Sequence, residues 1–106
     1  MVRLSDFEEL QDFVRHTLCA RADMTADAPL IRRVLRRNGR PCGVEFTLVA
    51  PRSVRLSAIW ESGENRVLFY DQNLERFQVS KISGLTPEDV PAAEGAPATA
   101  SMWRGK

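Results

Sequence analysis

The stretch Val54-Arg55-Leu56-Ser57-Ala58-Ile59-Trp60-Glu61-Ser62-Gly63-Glu64-Asn65-Arg66-Val67-Leu68-Phe69-Tyr70 decides the fold. Val54, Leu56, Ala58 and Trp60 alternate with Arg55 and Ser57, and Val67 and Phe69 resume the alternation beyond a polar tetrapeptide. A period of two marks a strand with one face covered and one open. Ser62-Gly63-Glu64-Asn65 reads as a two-residue Gly-X hairpin turn, because Gly tolerates the positive φ that type II′ demands. That turn sets Glu61 opposite Arg66, Trp60 opposite Val67 and Ala58 opposite Phe69. Inward residues then meet inward residues, and a charge pair closes the ladder.

The same rhythm extends in both directions. Upstream, Val44, Phe46 and Leu48 alternate with Glu45 and Thr47; downstream, a three-residue loop over Gln72–Leu74 pairs Phe69 with Phe77 and Val67 with Val79. A tight four-residue turn at Ala50–Ser53, around Pro51, would mismatch the faces, which predicts a longer loop or a bulge there. Residues 29–38 read two ways. Leu30, Ile31, Val34 and Leu35 have helical spacing, with Pro29 at the start and Asn38-Gly39 as a C-cap. Arg37-Asn38-Gly39-Arg40 is also a strong two-residue hairpin signal, and the strand pattern that follows within three residues favours strand.

Before these strands, Ser5-Asp6-Phe7-Glu8 reads as a capping box, with Asp6, Glu8 and Glu9 at the positive end of the helix dipole. Phe7, Leu10, Val14 and Leu18 recur at spacings of three and four, which predicts a helix over 6–22 with one apolar stripe. Glu8, Asp12, Arg15, His16 and Cys19 fall on its opposite face. After Ser83 the chain turns rich in Pro, Ala, Thr, Gly and Ser, a composition too poor in apolar side chains to order itself. Residues 83–106 are therefore expected to be a flexible tail, with one short helical turn at Thr86-Pro87-Glu88-Asp89 and two isolated apolar residues, Met102 and Trp103.

The expected fold is α+β. An N-terminal amphipathic helix packs on one face of an antiparallel meander of four or five strands, within a single domain over 1–82. Its core is Phe7, Leu10, Val14, Leu18, Val44, Phe46, Leu48, Val54, Leu56, Ala58, Trp60, Val67, Phe69, Phe77 and Val79. A chain of 106 residues, 43% of them apolar and 27% charged, suits one such unit. No apolar run approaches the roughly 18 residues a membrane span needs, and no signal segment opens the chain, so the expected location is the cytoplasm with both thiols reduced.

Two Cys and one His are few for chemistry. His16 and Cys19 stand one helical turn apart, but a zinc site would need Cys42 with Asp12 or Asp23 to complete it, and those spacings match no zinc pattern. A thiol enzyme built on Cys19, His16 and Asp12 would need a pocket and oxyanion donors that nothing in the sequence provides. Cys42, between Pro41 and Gly43, reads as a small packed thiol. No catalytic residue, metal or cofactor is implied, and a non-enzymatic role is favoured.

Charge is the better lead. The formal net charge is only +1, yet residues 1–29 sum to −3 and residues 30–60 to +6, while 61–82 and 83–106 each sum to −1. Arg32, Arg33, Arg36, Arg37 and Arg40 fall within nine residues with no acid among them, and Arg52 and Arg55 follow. On a hairpin these could grip a phosphate backbone or an acidic protein. Nucleic-acid modules usually add stacking aromatics, and Tyr70 is the one aromatic expected on the open sheet face. Coding bias toward Arg and protection of sheet edges account for the same residues without a ligand. The open face offers a second lead: Ile59, Leu68 and Tyr70 are expected as neighbours there, edged by Arg55, Arg76 and Gln78, in the manner of an association surface.

Gly39-Arg40-Pro41-Cys42-Gly43, Pro51-Arg52-Ser53-Val54-Arg55, Ala58-Ile59-Trp60-Glu61, Leu68-Phe69-Tyr70-Asp71 and Arg76-Phe77 together resemble a group of short bacterial proteins of planctomycete type. The likeness spans roughly residues 30–82. It implies a self-contained domain and carries no activity, cofactor or site residue. The expected function is a non-catalytic module that binds a protein partner or a second copy of itself, with RNA or DNA binding through segment 32–55 as the alternative.

Overall fold

The computed structural model describes residues 1–24 and 28–90. Helix α1 (Phe7–Ala22) packs on one face of a six-stranded mixed sheet of β1 (Val2–Arg3), β2 (Leu30–Arg37), β3 (Arg40–Ala50), β4 (Val54–Glu61), β5 (Arg66–Tyr70) and β6 (Arg76–Ser83). Strand order is β1-β6-β5-β4-β3-β2. The class is α+β, as the patterning implies, but the sheet exceeds four or five strands. The unforeseen member is β1, whose Val2 and Arg3 run parallel to Ile82 and Ser83. Two residues carry no periodicity, so no pattern announces such a strand.

Segment 30–37 is a strand, and the type I′ signal explains why. Asn38 and Gly39 both adopt positive φ, 55° and 79°, and Arg37 faces Arg40 across the tip. The register then shifts by one at Cys42, a β-bulge that brings Leu35 opposite Gly43. Gly43 is obligatory at this point: a Cβ there would collide with the Trp60 carbonyl oxygen of β4.

The β4–β5 register is the expected one, Trp60 with Val67, Ala58 with Phe69 and Glu61 with Arg66. The turn differs. Ser62–Asn65 forms a four-residue loop whose left-handed residue is Asn65 (φ 50°), while Gly63 has no positive φ. Both turns place Glu61 opposite Arg66, so the register is indifferent to the choice. Asn65 also supplies a reason of its own. Its Oδ1 accepts the Trp60 Nε1–H at 2.9 Å, and its carbonyl accepts the Ile82 amide at 3.0 Å.

The Ala50–Ser53 bend is neither a bulge nor a long loop. Pro51–Ser53 makes one 3₁₀ turn with Arg52 at φ 66°, and Ala50 pairs directly with Val54. An odd loop of three residues keeps the faces matched.

At the last hairpin the loop over Gln72–Leu74 is as expected, with the Asp71 amide donating to the Glu75 carbonyl at 2.9 Å. The register beyond it is not. Tyr70 faces Arg76, but Phe69 faces Gln78 and Val67 faces Ser80, because Phe77 is an extra residue in a bulge. Phe77 still stacks on Phe69, with ring centroids 6.0 Å apart. Every residue after it changes sides. Val79, expected in the core, lies on the outer face at 43% exposure, and Ile82 takes the buried place.

The helix begins one residue later than the Ser5 cap implies. Asp6 is the N-cap and accepts from the Glu9 amide at 2.9 Å, while Glu9 reaches back to accept the Ser5 amide at 2.6 Å. Phe7, Leu10, Val14 and Leu18 are buried as a stripe. Cys19, expected on the solvent face, is also buried. The returning chain covers that flank: Arg15 Nε donates to the Ala28 carbonyl at 3.1 Å, and Ala28 and Leu30 are both buried.

The core gathers on the helix side of the sheet around Trp60, Phe46 and Phe69. Val54 and Phe77 only border it, while Leu4, Ala28, Leu30, Ile82 and Leu85 belong to it. Residues 83–90, which composition assigns to the tail, pack on the domain. Leu85 and Val90 rest against the core, and the 3₁₀ turn Pro87–Asp89, capped by Thr86 and Asp89, contacts β3. Met102 and Trp103 lie outside the described residues.

Candidate functional site

Pairing register places three rows of side chains on the sheet face opposite α1. One runs Arg33–Glu45–Ile59–Leu68–Val79, a second Ile31–Thr47–Ser57–Tyr70–Arg76, and a third Leu35–Gly43–Glu61–Arg66–Lys81. Ile59, Leu68 and Val79 are consecutive cross-strand neighbours, and Tyr70 follows Leu68 on the same face of β5. The structure thus brings Ile59, Leu68, Tyr70 and Arg76 together. It adds Val79, which the Phe77 bulge turns outward, and removes Gln78, which the same bulge turns toward the helix. Leu68 is only 7% exposed, so the accessible apolar surface of the cluster belongs to Val79, Ile59 and Tyr70, while Ile31 and Val49 are exposed elsewhere on the same face. Among the described residues no element lies over this face.

Charge borders the apolar cluster. Arg66 Nε meets Glu61 Oε1 at 2.9 Å, and Arg33 Nη2 meets Glu45 Oε1 at 2.9 Å. Such half-exposed pairs contribute little to stability, on the order of 0–1 kcal/mol each. Their effect is to leave Arg76 and Lys81, on the β6 side, as cations with no ion pair to an acid among the described residues.

The arginine island does not assemble into one patch. Arg32 points inward, buried beneath α1, where its Nη1 donates to Gln11 Oε1 at 2.6 Å and its guanidinium lies 5.3 Å from the centre of the Phe7 ring. Arg33 is paired with Glu45. Arg36, Arg37 and Arg40 are exposed at the β2–β3 tip. Arg52 and Arg55 are exposed at the opposite end of β3, separated from the tip by a strand on the order of 30 Å long. Alternation along β2 sends successive arginines to opposite faces, so density in sequence becomes dispersion in space.

The thiol and imidazole candidates do not converge either. Cys19 is buried while His16 is exposed on the helix surface, its Nδ1–H donating to the Asp12 carbonyl at 2.9 Å. The Asp12 carboxylate is engaged by Arg15 Nη1 at 3.1 Å instead. Among the described residues no three His, Cys, Asp or Glu side chains gather as a metal ion would require. No described helix is long and apolar enough to cross a membrane.

One polar side chain the sequence reading did not single out is Asp71, nearly buried at the last hairpin. Its Oδ1 accepts from the amides of Asn73 and Glu75 at 2.9 and 3.1 Å, and its Oδ2 lies 3.6 Å from Arg21 Nη2. The amide of Glu75 foremost, then that of Asn73 and the Arg21 charge, hold its carboxyl below the usual carboxylate range despite burial acting the other way. Asp-Gln-Asn ahead of a strand is an Asx-turn signal. Its task here is to shape the loop and tie it to α1. Comparison with protein-family models, curated proteins and solved structures gave no match for the chain.

Proposed function

We propose that this protein is a non-catalytic assembly module whose outer sheet face associates with protein, a second copy of the chain being the occupant to test first. One observation carries the reading: Ile59, Leu68, Tyr70 and Val79 form a contiguous apolar cluster on a face left uncovered among the described residues, with a charged border. An apolar centre inside a polar rim is the usual anatomy of a protein–protein surface. The dispersal of the arginines disfavours the nucleic-acid alternative, which needs a continuous basic track.

Sedimentation velocity over a wide concentration range tests the proposal. The expected result is a mass that rises with concentration in the wild type and returns to that of the monomer in Tyr70→Ala and Val79→Glu. A monomer at every concentration, unaffected by either change, removes self-assembly. A salt-sensitive shift of RNA or DNA abolished by Arg37→Ala with Arg40→Ala would transfer the function to the hairpin tip.

A further inference from the structure

The two edges of the sheet are unequal. On the β6 side, β1 pairs only with Ile82 and Ser83, so Phe77–Lys81 has no strand beside it among the described residues. The direction of its backbone groups follows from two hydrogen bonds. The Ile82 amide donates to the Asn65 carbonyl, toward β5, whereas the Ser83 carbonyl accepts from the Leu4 amide, toward β1. The parallel pairing of Val2 with Ile82 takes the Lys81 carbonyl to β1 as well. Alternation then turns the N–H and C=O of Val79 and the N–H of Lys81 away from β5, to the open edge. These are pairing groups of a strand that is not there.

Beside this edge runs an open groove of about 590 Å³ between α1 and β6, lined by His16, Thr17, Ala20, Arg21, Phe77 and Gln78. Its floor includes the half-buried Phe77 ring, with the Arg21 guanidinium 4.6 Å from the ring centre. Arg21 is the cation that lines the groove; Arg76 and Lys81 stand on the other face of the same edge, in the outer rows. The acids facing it are engaged, Asp71 by Arg21 and two loop amides and Asp12 by Arg15, with Glu75 exposed in the loop.

We propose that the Phe77–Lys81 edge takes an extended, acidic segment of a partner protein by strand addition, its alternate side chains lying in the α1–β6 groove. Main-chain hydrogen bonds to Val79 and Lys81 would supply affinity; the groove on one face and Arg76 with Lys81 on the other would supply selection. The chain itself sets the precedent, since β1 already adds two residues to this same edge. Lys81 and Arg76 are the charges that normally discourage edge pairing. They repel a basic strand, offer a neutral one no charge attraction and favour one carrying Glu or Asp on its outer side, so a single feature both guards the edge and selects its partner. The edge adjoins the apolar cluster of the outer face and shares Val79 and Arg76 with it, but it uses the main chain of Val79, which Tyr70→Ala leaves intact.

The test uses the full chain and a blocked eight-residue peptide alternating valine with glutamate, against the same peptide with lysine in place of glutamate. Amide exchange followed by NMR reports the edge directly. Val79 and Lys81 amides exchange rapidly in the free protein and slow on addition of the acidic peptide, while Ser80 and Ile82, bonded toward β5, are slow throughout. The lysine peptide binds about tenfold or more weakly, and Lys81→Glu with Arg76→Glu reverses the preference while the far-ultraviolet spectrum is retained. Equal binding of both peptides, or unchanged Val79 and Lys81 exchange at saturating acidic peptide, overturns the proposal. Slowing of those two amides with protein concentration alone also overturns it, in favour of edge pairing between copies.

Discussion

Trp60 is the residue on which the packing most depends, and its replacement can be worked from the structure. It is fully buried on a central strand, flanked in register by Val44 and Val67, and its indole N–H is bonded to Asn65 at 2.9 Å. Trp60→Ala removes the ring and leaves a cavity, a loss of about 3–5 kcal/mol. It also strips Asn65 Oδ1 of its donor, adding about 1 kcal/mol because water reaches that half-buried group. Domains of this size have a total stability of about 5–15 kcal/mol, so the variant sits close to unfolding. Trp60→Phe keeps most of the packing and should cost about 2 kcal/mol, from the lost hydrogen bond and a smaller void. Urea denaturation followed by circular dichroism, with a slope of about 1.5 kcal/mol per molar, converts these losses into midpoint shifts of about 3 M for Ala and about 1 M for Phe. Asn65→Gly, which preserves the left-handed backbone, completes a double-mutant cycle with Trp60→Phe and should show a coupling of about 1 kcal/mol. A midpoint shift below about 0.3 M in Trp60→Ala would refute the buried, hydrogen-bonded indole and with it the placement of β4 at the centre.

Three further outcomes test the local geometry. Gly43→Ala, whose new Cβ meets the Trp60 carbonyl oxygen, should lower stability by about 2 kcal/mol or more, whereas Gly63→Ala, with open space around it, should leave a thermal melt almost unchanged. Asp6→Ala should cost about 1 kcal/mol in urea, and Ser5→Ala much less, if the cap is Asp6. Asp71 has a depressed native carboxyl, so its contribution is fully present above the pKa of the unfolded chain and disappears as pH falls through the lower native value. Stability of the wild type measured from pH 7 to pH 2 should therefore decline faster through the acid range than that of Asp71→Asn, and parallel curves would show that the loop does not depend on the carboxylate.

Much of the fold can be read from particular residues before any coordinates. Val54–Tyr70 carries a register in its own alternation because two inward faces must meet, and even an incorrect turn type leaves that constraint standing. Phe7, Leu10, Val14 and Leu18 mark the buried side of the helix for the same reason. Failures occur where one residue is inserted without disturbing the pattern. Phe77 and Val79 have the right parity for a paired strand, so only tertiary packing reveals that Phe77 is surplus and that Val79 faces out. The arginines mislead differently. Counting them along the chain ignores that a strand distributes neighbours to opposite faces, and that a guanidinium can be buried when Gln11 and Phe7 receive it. The candidate surface was partly legible through Ile59, Leu68 and Tyr70. The open edge was not, because it depends on how short β1 is.

The parallel contact between Val2–Arg3 and Ile82–Ser83 determines how the domain answers a mechanical load. Tension applied between residues 1 and 83 pulls the parallel strands β1 and β6 along their own axes in opposite senses. The Leu4–Ser83 hydrogen bond and its companions are then sheared together instead of being peeled one at a time. With so few rungs the resisting clasp is small, and once it slips, Ile82 and Ser83 are bared in a single step and join the stretch of β6 that is already open.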